Sequence, residues 1–164
     1  MLPATETLAE DGDLRARTLD EGSVDELVDA MLVFNAGEHI VWTRADGEAP
    51  LRTLAASRDL GVVAVLERGG AFVGYFVLTW GFDLEWGGRD AFLTELYLAP
   101  ESRGRGLGKR ALGLVERAAS AHGARAVHLM VRHDNTVAEA LYRGSGFVEP
   151  PRRFLTKVLA TPAT

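Results

Sequence analysis

The sequence predicts a single α+β domain in which a mixed, mostly antiparallel sheet is flanked by helices. The chain has 164 residues, 47% of them hydrophobic, which is enough for one sizeable core. Three β-rich runs between residues 61 and 98 are separated only by short turns, which indicates antiparallel strands. A glycine-rich loop, an amphipathic helix and another apolar run follow, which indicates a right-handed crossover to a parallel strand.

Hydrophobic periodicity and turn residues predict the individual elements. Residues 1–12 are acidic and are expected to form a flexible tail, with the domain at 13–164. The remaining elements, in chain order, are a strand at 13–19, a helix from the capping-box pair Ser23 and Glu26 to Gly37, a helix from Pro50 to near Asp59, strands at 61–67, 71–80 and 91–98, a helix from Leu107 to near His122, a strand at 126–131, a helix capped by Asp134 and a final strand at 154–159.

Composition excludes several classes of function. The chain has no cysteine, so disulfides, thiol nucleophiles and cysteine-based metal sites are excluded. His122, His128 and His133 lack the mutual spacing of a metal site, so no metal is expected. The N-terminus lacks a signal-peptide core, and the longest uncharged run, 69–82, is too short to span a bilayer. We therefore expect a soluble cytoplasmic protein with no membrane partner.

Charge is distributed unevenly along the chain. Residues 1–100 contain 7 Arg against 18 Asp and Glu, whereas residues 101–164 contain 11 Lys and Arg against 5 acidic residues. A nucleic-acid binder would be basic throughout, so no nucleic-acid partner is expected. An anionic ligand held by the basic part and a cationic ligand held by the acidic part are compatible with this distribution.

An anion-binding loop is predicted at residues 103–109, which read RGRGLGK. Because the loop lies between a strand and a helix, consecutive amides and the helix dipole would point at one spot, as in phosphate sites. A Walker A loop would need Gly at Arg103 and Ser or Thr at Arg110. A dinucleotide fingerprint needs GxGxxG, whereas the glycines here are spaced GxGxG. By itself, the loop is equally compatible with a glycine-capped surface turn.

Two motifs together resemble the GNAT family of N-acetyltransferases. The first is R-x-x-G-x-G, the pyrophosphate loop of that family, formed here by Arg103, Gly106 and Gly108. The second is Asn-x-x-Ala-x-x-Leu-Tyr followed by Gly-Phe, which matches NTVAEALYRGSGF at 135–147. The predicted order of elements also looks like that fold. The resemblance therefore implies a GNAT-like sheet that is splayed between its fourth and fifth strands, those at 91–98 and 126–131.

The resemblance also implies acetyl-CoA as the cosubstrate. Its phosphates would lie on the loop amides, and its pantetheine arm would run along the strand at 91–98 like an added strand. The residues implied to hold the coenzyme are Leu96, Tyr97, Leu98, Arg103, Gly104, Arg105, Gly106, Leu107, Gly108, Lys109 and Asn135.

Direct transfer of an acetyl group to an amine needs a proton donor and a proton acceptor. By resemblance, Tyr142 would protonate the coenzyme sulfur, and main-chain amides near Leu96 would polarise the thioester carbonyl. Glu95 is the candidate base, because both alternating faces of its strand are largely apolar and a carboxylate there is costly without water, a partner or substrate. Glu95 could accept the proton directly, accept it through water, bind the amine, or simply pair with Arg89. Some relatives, including polyamine acetyltransferases, carry an acidic residue at the position of Thr94.

The acceptor is predicted to be a primary amine of a small cationic molecule or a peptide. Asp83, Glu85 and Trp80 offer negative charge and ring faces to a cation, and His39 and Trp42 are expected to line the same cleft. Two alternatives remain open: a non-catalytic acyl-CoA-binding module and, less favoured, a nucleotide-dependent oxidoreductase. The resemblance also allows a homodimer, because dimers are common in that family.

Overall fold

The computed structural model of the chain describes residues 1–159, so residues 160–164 of the predicted domain lie outside the described residues. Within the described residues, one sheet contains six strands, β1 (Thr7–Asp11), β2 (Leu14–Thr18), β3 (Gly61–Arg68), β4 (Ala71–Asp83), β5 (Gly88–Leu98) and β6 (Val127–Leu129). The same residues form four α-helices, α1 (Val24–Gly37), α2 (Arg44–Ala56), α3 (Leu107–Ala121) and α4 (Thr136–Gly144), and two short 3-10 turns at Glu21–Ser23 and Pro100–Ser102.

The strands lie in the sheet in their chain order, β1 to β6. Neighbours from β1 to β5 are antiparallel, and β6 is parallel to β5. The β5–β6 pairing joins only Ala91–Leu93 to Val127–Leu129. In the described chain the second half of β5 therefore has no strand beside it on that edge, which is the predicted splay. The α+β fold class is confirmed.

Two apolar cores lie on opposite faces of the sheet. On one face, α3 buries Leu107, Leu112 and Val115 against Leu66, Phe76 and other residues of the sheet. On the other face, α1 and α2 pack Leu27, Met31 and Leu51 against a second set of strand residues that includes Tyr75 and Tyr97. The site residues described below lie at the free half of β5, between these two layers.

A bulge in β5 breaks the strict alternation that the sequence predicts for this strand. Val77 pairs with Glu95 but the next residue, Leu78, pairs with Leu93, so Thr94 is an extra residue. As a result, Leu93 and Leu96 pack in the same core, although they differ by an odd number of positions. Glu95 and Thr94 both face the layer of α1 and α2, where they line one cavity.

The segment predicted as a flexible tail contains a strand. Residues Thr7–Asp11 form β1, which pairs with β2 around a turn at Gly12. The acidic residues of this hairpin have a specific partner, because the Arg110 guanidinium on α3 contacts both Asp11 and Asp13. Asp11, in the segment predicted as a tail, therefore contributes to a contact between the β1–β2 hairpin and α3.

Helix α1 begins where the sequence predicts, but its cap differs, and the starts of α2 and α4 also differ from the prediction. At α1, Ser23 makes no side-chain cap, and Asp20 instead accepts from the Ser23 amide, so the predicted capping box does not form. Helix α2 begins six residues before Pro50, because the Thr43 side chain caps it by accepting from the Asp46 amide. The cap of α4 is Asn135.

The strand predicted at 154–159 is absent. These residues have no regular structure, and several of their apolar side chains, including Phe154 and Val158, are exposed. High β-propensity requires a neighbouring strand to pair with, and the segment does not join β6. Among residues 1–159, no helix has the length and hydrophobicity needed to cross a membrane.

Candidate active site

The loop between β5 and α3 has three consecutive residues in the left-handed region of backbone conformation. Gly104, Arg105 and Gly106 adopt positive φ values of 84°, 52° and 77° in succession. Left-handed conformations are easy for glycine and costly for arginine, so the two glycines are what this turn requires. Gly106 is the N-cap of α3, and no side chain caps that helix end. Within the described residues, the Leu107 amide donates to the Gly104 carbonyl at 3.2 Å, whereas the next two amides, those of Gly108 and Lys109, are left for an outside acceptor, which suits a phosphate.

The basic residues around the loop have different partners. Arg103 donates from Nε to the Leu98 carbonyl at 2.9 Å and lies over the Tyr97 ring, so it ties the loop to the end of β5. Arg105 and Lys109 are exposed beside the loop. Arg110, which the charge pattern includes in the positive field, is neutralised by the β1–β2 hairpin. Arg103 keeps its charge because the Leu98 carbonyl and the Tyr97 ring are both neutral, so the local positive charge comes from Arg103, Arg105 and Lys109.

Gly108 serves a different purpose from the other two glycines. A Cβ at this position would lie 2.9 Å from Leu141 Cδ2 on α4. Gly108 therefore lets α3 and α4 approach closely, and this contact sets α4 beside the splayed half of the sheet. Asn135, at the start of α4, accepts from the Ala138 amide at 3.2 Å through Oδ1. This hydrogen bond holds the Asn135 side chain at the N-terminus of α4.

Glu95 is largely buried on β5 and has a neutral hydrogen-bond partner. The Tyr75 hydroxyl on β4 donates to Glu95 Oε2 at 2.7 Å. Arg89, the partner that the sequence offered, instead lies over the Trp80 ring. Burial raises the pKa of Glu95 above its ordinary value, and the Tyr75 hydrogen bond offsets part of that rise. A carboxylate whose pKa is raised in this way binds a proton more readily than an exposed glutamate does.

A cavity of about 220 Å³ opens onto Glu95 between the sheet and α2. Its polar lining comes from Thr94, Glu95 and Asp46, and the Trp42 side chain supplies an aromatic wall. The other lining residues are Met31, Gly47, Pro50, Leu51, Leu54 and Val77, so within residues 1–159 no Lys, Arg or His faces the cavity. Trp42 packs onto Gly47 so closely that a Cβ there would lie 1.6 Å from Cζ2.

Tyr142 lies on α4 at the edge of the core that α3 forms with the sheet. Its ring packs edge-on against Phe147 at 5.9 Å, which explains why the Leu-Tyr and Gly-Phe parts of the second motif occur together. Burial and the nearby Glu38 carboxylate raise the pKa of Tyr142, so its hydroxyl stays protonated at neutral pH. A protonated, half-buried hydroxyl is a competent proton donor.

The structure does not bring the other predicted acceptor residues to Glu95. Asp83 and Glu85 lie on the β4–β5 turn and line a separate cavity of about 680 Å³, where Glu85 pairs with Arg152. Trp80 stacks on His122 on the α3 side of the sheet. His39 follows α1 in a left-handed conformation and does not line the Glu95 cavity. The described residues contain no group of three or more His, Asp or Glu side chains that could hold a metal.

Sequence reasoning missed the hydrogen-bond partner of Glu95, Tyr75, and the second carboxylate of the cavity, Asp46. Tyr75 lies in an apolar run that predicts an ordinary buried strand. Its hydroxyl has a hydrogen-bond partner because the β5 bulge directs Glu95 toward it. Asp46 lies on the first turn of α2, which the Pro50-based helix start leaves out. The Thr43–Asp46 spacing is a capping signal that could have located this turn.

Comparison with known proteins agrees with this geometry. The family model described as "Acetyltransferase (GNAT) family" matches residues 27–147. An uncharacterized N-acetyltransferase, YhfO of Bacillus subtilis (strain 168), is 31% identical over 88 residues, which are 54% of this chain and 59% of that protein. The match thus spans less than two thirds of that curated relative.

Solved structures share the whole fold. An integron cassette protein from the mobile metagenome of Cole Harbour Salt Marsh is 31% identical, with a TM-score of 0.77 over 90% of this chain and 91% of that chain. The aminoglycoside N-acetyltransferase AAC(6')-Iy, solved in complex with CoA, is 16% identical, with a TM-score of 0.72 over 96% and 98% of the two chains. The second likeness concerns the fold alone. With the family model covering well over half of its length, the chain belongs to the GNAT acetyltransferase family, as the two motifs predict.

Proposed function

We propose that this protein transfers the acetyl group of acetyl-CoA to a primary amine of a small cationic molecule or peptide, in a direct reaction within a ternary complex. One observation carries the proposal. Strand β5 holds a buried carboxylate at a cavity without cations, and the same strand leads directly into an uncapped, left-handed loop at the start of α3. An amine site and a phosphate site are thus joined by one rigid element.

The residues near the loop fit coenzyme A. The left-handed turn at 104–106 and the amides of Gly108 and Lys109 would bind the pyrophosphate, helped by the exposed side chains of Arg103, Arg105 and Lys109. The unpaired half of β5, Leu96 to Leu98, would bind the pantetheine arm through main-chain groups. Arg103 holds the loop in place against β5. Leu107 and Gly108 contribute packing and main-chain amides.

The cavity beside Glu95 suits a protonated amine that must lose a proton before it reacts. Two carboxylates and an indole ring attract a cation, and the small volume admits an amine-bearing arm. Trp42, which the sequence analysis expected in the acceptor cleft, and Asp46, which it did not, therefore take the substrate-binding role in this proposal, in place of Trp80, Asp83, Glu85 and His39. The name of the aminoglycoside acetyltransferase with the same fold supports a small polycationic acceptor.

The proposed chemistry uses three proton transfers. Acetyl-CoA supplies a thioester whose carbonyl carbon bonds to the amine nitrogen as the carbon–sulfur bond breaks. Glu95 accepts the ammonium proton, directly or through a water molecule in the cavity. Tyr142 donates its hydroxyl proton to the departing thiolate, and the second proton of the attacking nitrogen passes through water to the tyrosinate, so the products are a neutral amide and the CoA thiol. Main-chain amides near Leu96, next to the β5 bulge, polarise the carbonyl.

Release of the coenzyme thiol tests the proposal. Purified protein is incubated with acetyl-CoA and a panel of aminoglycosides, diamines and N-terminal peptides, while calorimetry measures CoA binding in parallel. We expect heat on binding and thiol release with at least one amine. Heat without turnover would favour the acyl-CoA-binding module, and absence of both would reject the proposal. Homodimer formation stays a prediction of the resemblance, which sedimentation can test.

The role of Tyr142 has its own test. Tyr142→Phe removes only the hydroxyl, so kcat should fall about 100-fold, the lower end of the range for general acids. The affinity for CoA should stay within about twofold of the wild type, because the ring still packs on Phe147. An unchanged kcat would reject the acid role.

A further inference from the structure

Tyr75 is a fully buried residue whose only polar atom points at Glu95. Its side chain has 0% exposure in the middle of β4. Its hydroxyl donates to Glu95 Oε2 at 2.7 Å, and this is its one hydrogen bond within the described chain. Burial and the adjacent carboxylate raise the pKa of Tyr75, so the hydroxyl remains a donor throughout the working pH range.

Neighbouring rings fix the position of that hydroxyl. Phe34 of α1 packs edge-on against the Tyr75 ring at 6.3 Å, and Tyr97 of β5 lies at 5.6 Å on its other side. A ring held between two aromatic neighbours in a close-packed core has little freedom to rotate. The Tyr75 hydroxyl is therefore a fixed anchor, whereas Glu95 is a flexible side chain that needs one.

We propose that Tyr75 is a positioning residue for acetyl transfer: by holding Oε2 of Glu95, it aims Oε1 at the acceptor cavity and keeps the carboxyl ready to accept a proton. This inference rests on the proposed function, because it assumes that Glu95 serves the amine. Within the described residues, Oε1 has no protein partner, and Glu95 lines the cavity.

Among the charged and titratable groups around Glu95, Tyr75 is the one that stabilises the ionised carboxylate. Strand β4 contributes Tyr75, β5 contributes Tyr97, and α2 contributes Asp46 across the cavity, whereas α1 presents only Met31 and Phe34. None of these groups is a cation. Burial raises the pKa of Glu95, and the Tyr75 hydrogen bond is the one contact that lowers it. Loss of the hydroxyl should therefore raise the pKa of Glu95 further.

Tyr75→Phe tests the inference through the pH dependence of kcat/KM. Activity requires ionised Glu95, so kcat/KM falls as the pH drops through its pKa. In Tyr75→Phe the midpoint of this acidic limb should move up by about one pH unit, the scale of one hydrogen bond to a charged group. A merely structural role would lower kcat/KM by the same factor at every pH, and that result would overturn the proposal.

Tyr97→Phe is the matched control, since it removes a hydroxyl from the adjacent ring that does not bond Glu95. Its midpoint should equal that of the wild type, whatever its rate. In a Glu95→Gln background, Tyr75→Phe should have no further effect on the limb. Circular dichroism and CoA calorimetry check that each variant is folded.

Isotope-edited infrared titration of the Glu95 carboxyl, in protein saturated with CoA, separates this inference from the proposed function. An upward shift in Tyr75→Phe supports the contact even if no amine is ever acetylated. An unshifted carboxyl in an active enzyme rejects the role of Tyr75 and leaves acetyl transfer intact.

Discussion

Glu67 and Glu95 are two largely buried carboxylates on the same sheet, and they have opposite surroundings. Glu67, at the end of β3, contacts Arg15 and Arg17 of β2 at 2.6 Å each. These two cations lower its pKa despite burial. Glu95 contacts one neutral hydroxyl, and burial raises its pKa. The arginine neighbours keep the Glu67 carboxylate ionised at neutral pH. Glu95 has no such neighbours among the described residues, and its raised pKa makes it a better proton acceptor.

The difference shows that burial alone does not mark a functional carboxylate. Glu67 is only 9% exposed, and it is part of a hydrogen-bond network that extends through Arg17 to Asp20 and Ser23. Glu95 borders a cavity and has one oxygen free of protein partners. The chemistry of the partner, a cation or a neutral donor, decides whether the buried acid supports the fold or the reaction.

The largest expected contrast is in activity. Glu95→Gln should lower kcat/KM by about 100- to 1,000-fold, because the amide cannot accept the amine proton. Glu67→Gln should leave kcat/KM within about twofold of the wild type, since Glu67 does not line the acceptor cavity. Thiol release under identical conditions measures both. Similar losses of kcat/KM in the two variants would contradict a catalytic role that belongs to Glu95 and not to Glu67.

For the free energy of unfolding, we expect the opposite order, with the larger loss in Glu67→Gln. Glu67→Gln leaves two arginines without their carboxylate and should reduce the free energy of unfolding by about 2 kcal/mol. Glu95→Gln keeps an acceptor for Tyr75 and removes a buried charge, so stability should stay within about 1 kcal/mol or increase. Urea denaturation at pH 7 gives both values. A larger loss for Glu95→Gln would contradict the account.

The stabilising effect of Glu67 should depend on pH. Its pKa is below the ordinary value of 4.5 in the folded protein, so the folded state binds fewer protons than the unfolded state. The contribution is complete above about pH 4.5 and is lost as the pH falls through the folded value. The difference between wild type and Glu67→Gln should therefore shrink in acid. A difference that stays constant down to pH 2.5 would refute the ion-pair explanation.

The two arginines should contribute unequally. The Arg17 side chain is 11% exposed and that of Arg15 is 45% exposed. Arg17→Gln should cost about 2 kcal/mol, because Glu67 and Asp20 both lose a buried partner. Arg15→Gln should cost about 0.5 kcal/mol, as expected for a pair open to solvent. Equal costs in urea denaturation would show that exposure does not separate them.

Local patterns predicted most of the fold. The strands of the central hairpins and α3 follow from residues that alternate or recur at helical spacing. The patterns failed where long-range contacts decide the structure. Residues 7–11 became a strand through pairing with β2, and residues 154–159 stayed irregular for lack of a partner strand. A one-residue bulge at Thr94 cannot be seen in the periodicity of eight residues.

The part of the candidate site that lies in one local motif could be predicted from the sequence. The part that combines residues from distant segments could not. The left-handed loop at Gly104–Gly106 lies where the glycine spacing indicates. The Glu95 cavity draws Trp42 and Asp46 from α2 and its approach, far away in the sequence. Acidic and aromatic residues in one short segment suggested a cation site at Asp83 and Glu85, but the turn carries them to the other end of β5.

The pH dependence of kcat/KM, measured for wild type and Glu95→Gln with the same amine, tests the central claim most directly. We predict an acidic limb in the wild type with a midpoint above 4.5, the ordinary value for a glutamate, since burial raises the pKa of Glu95. In Glu95→Gln the limb should disappear and the remaining rate should be low. An identical limb and rate in both proteins would show that another group accepts the amine proton.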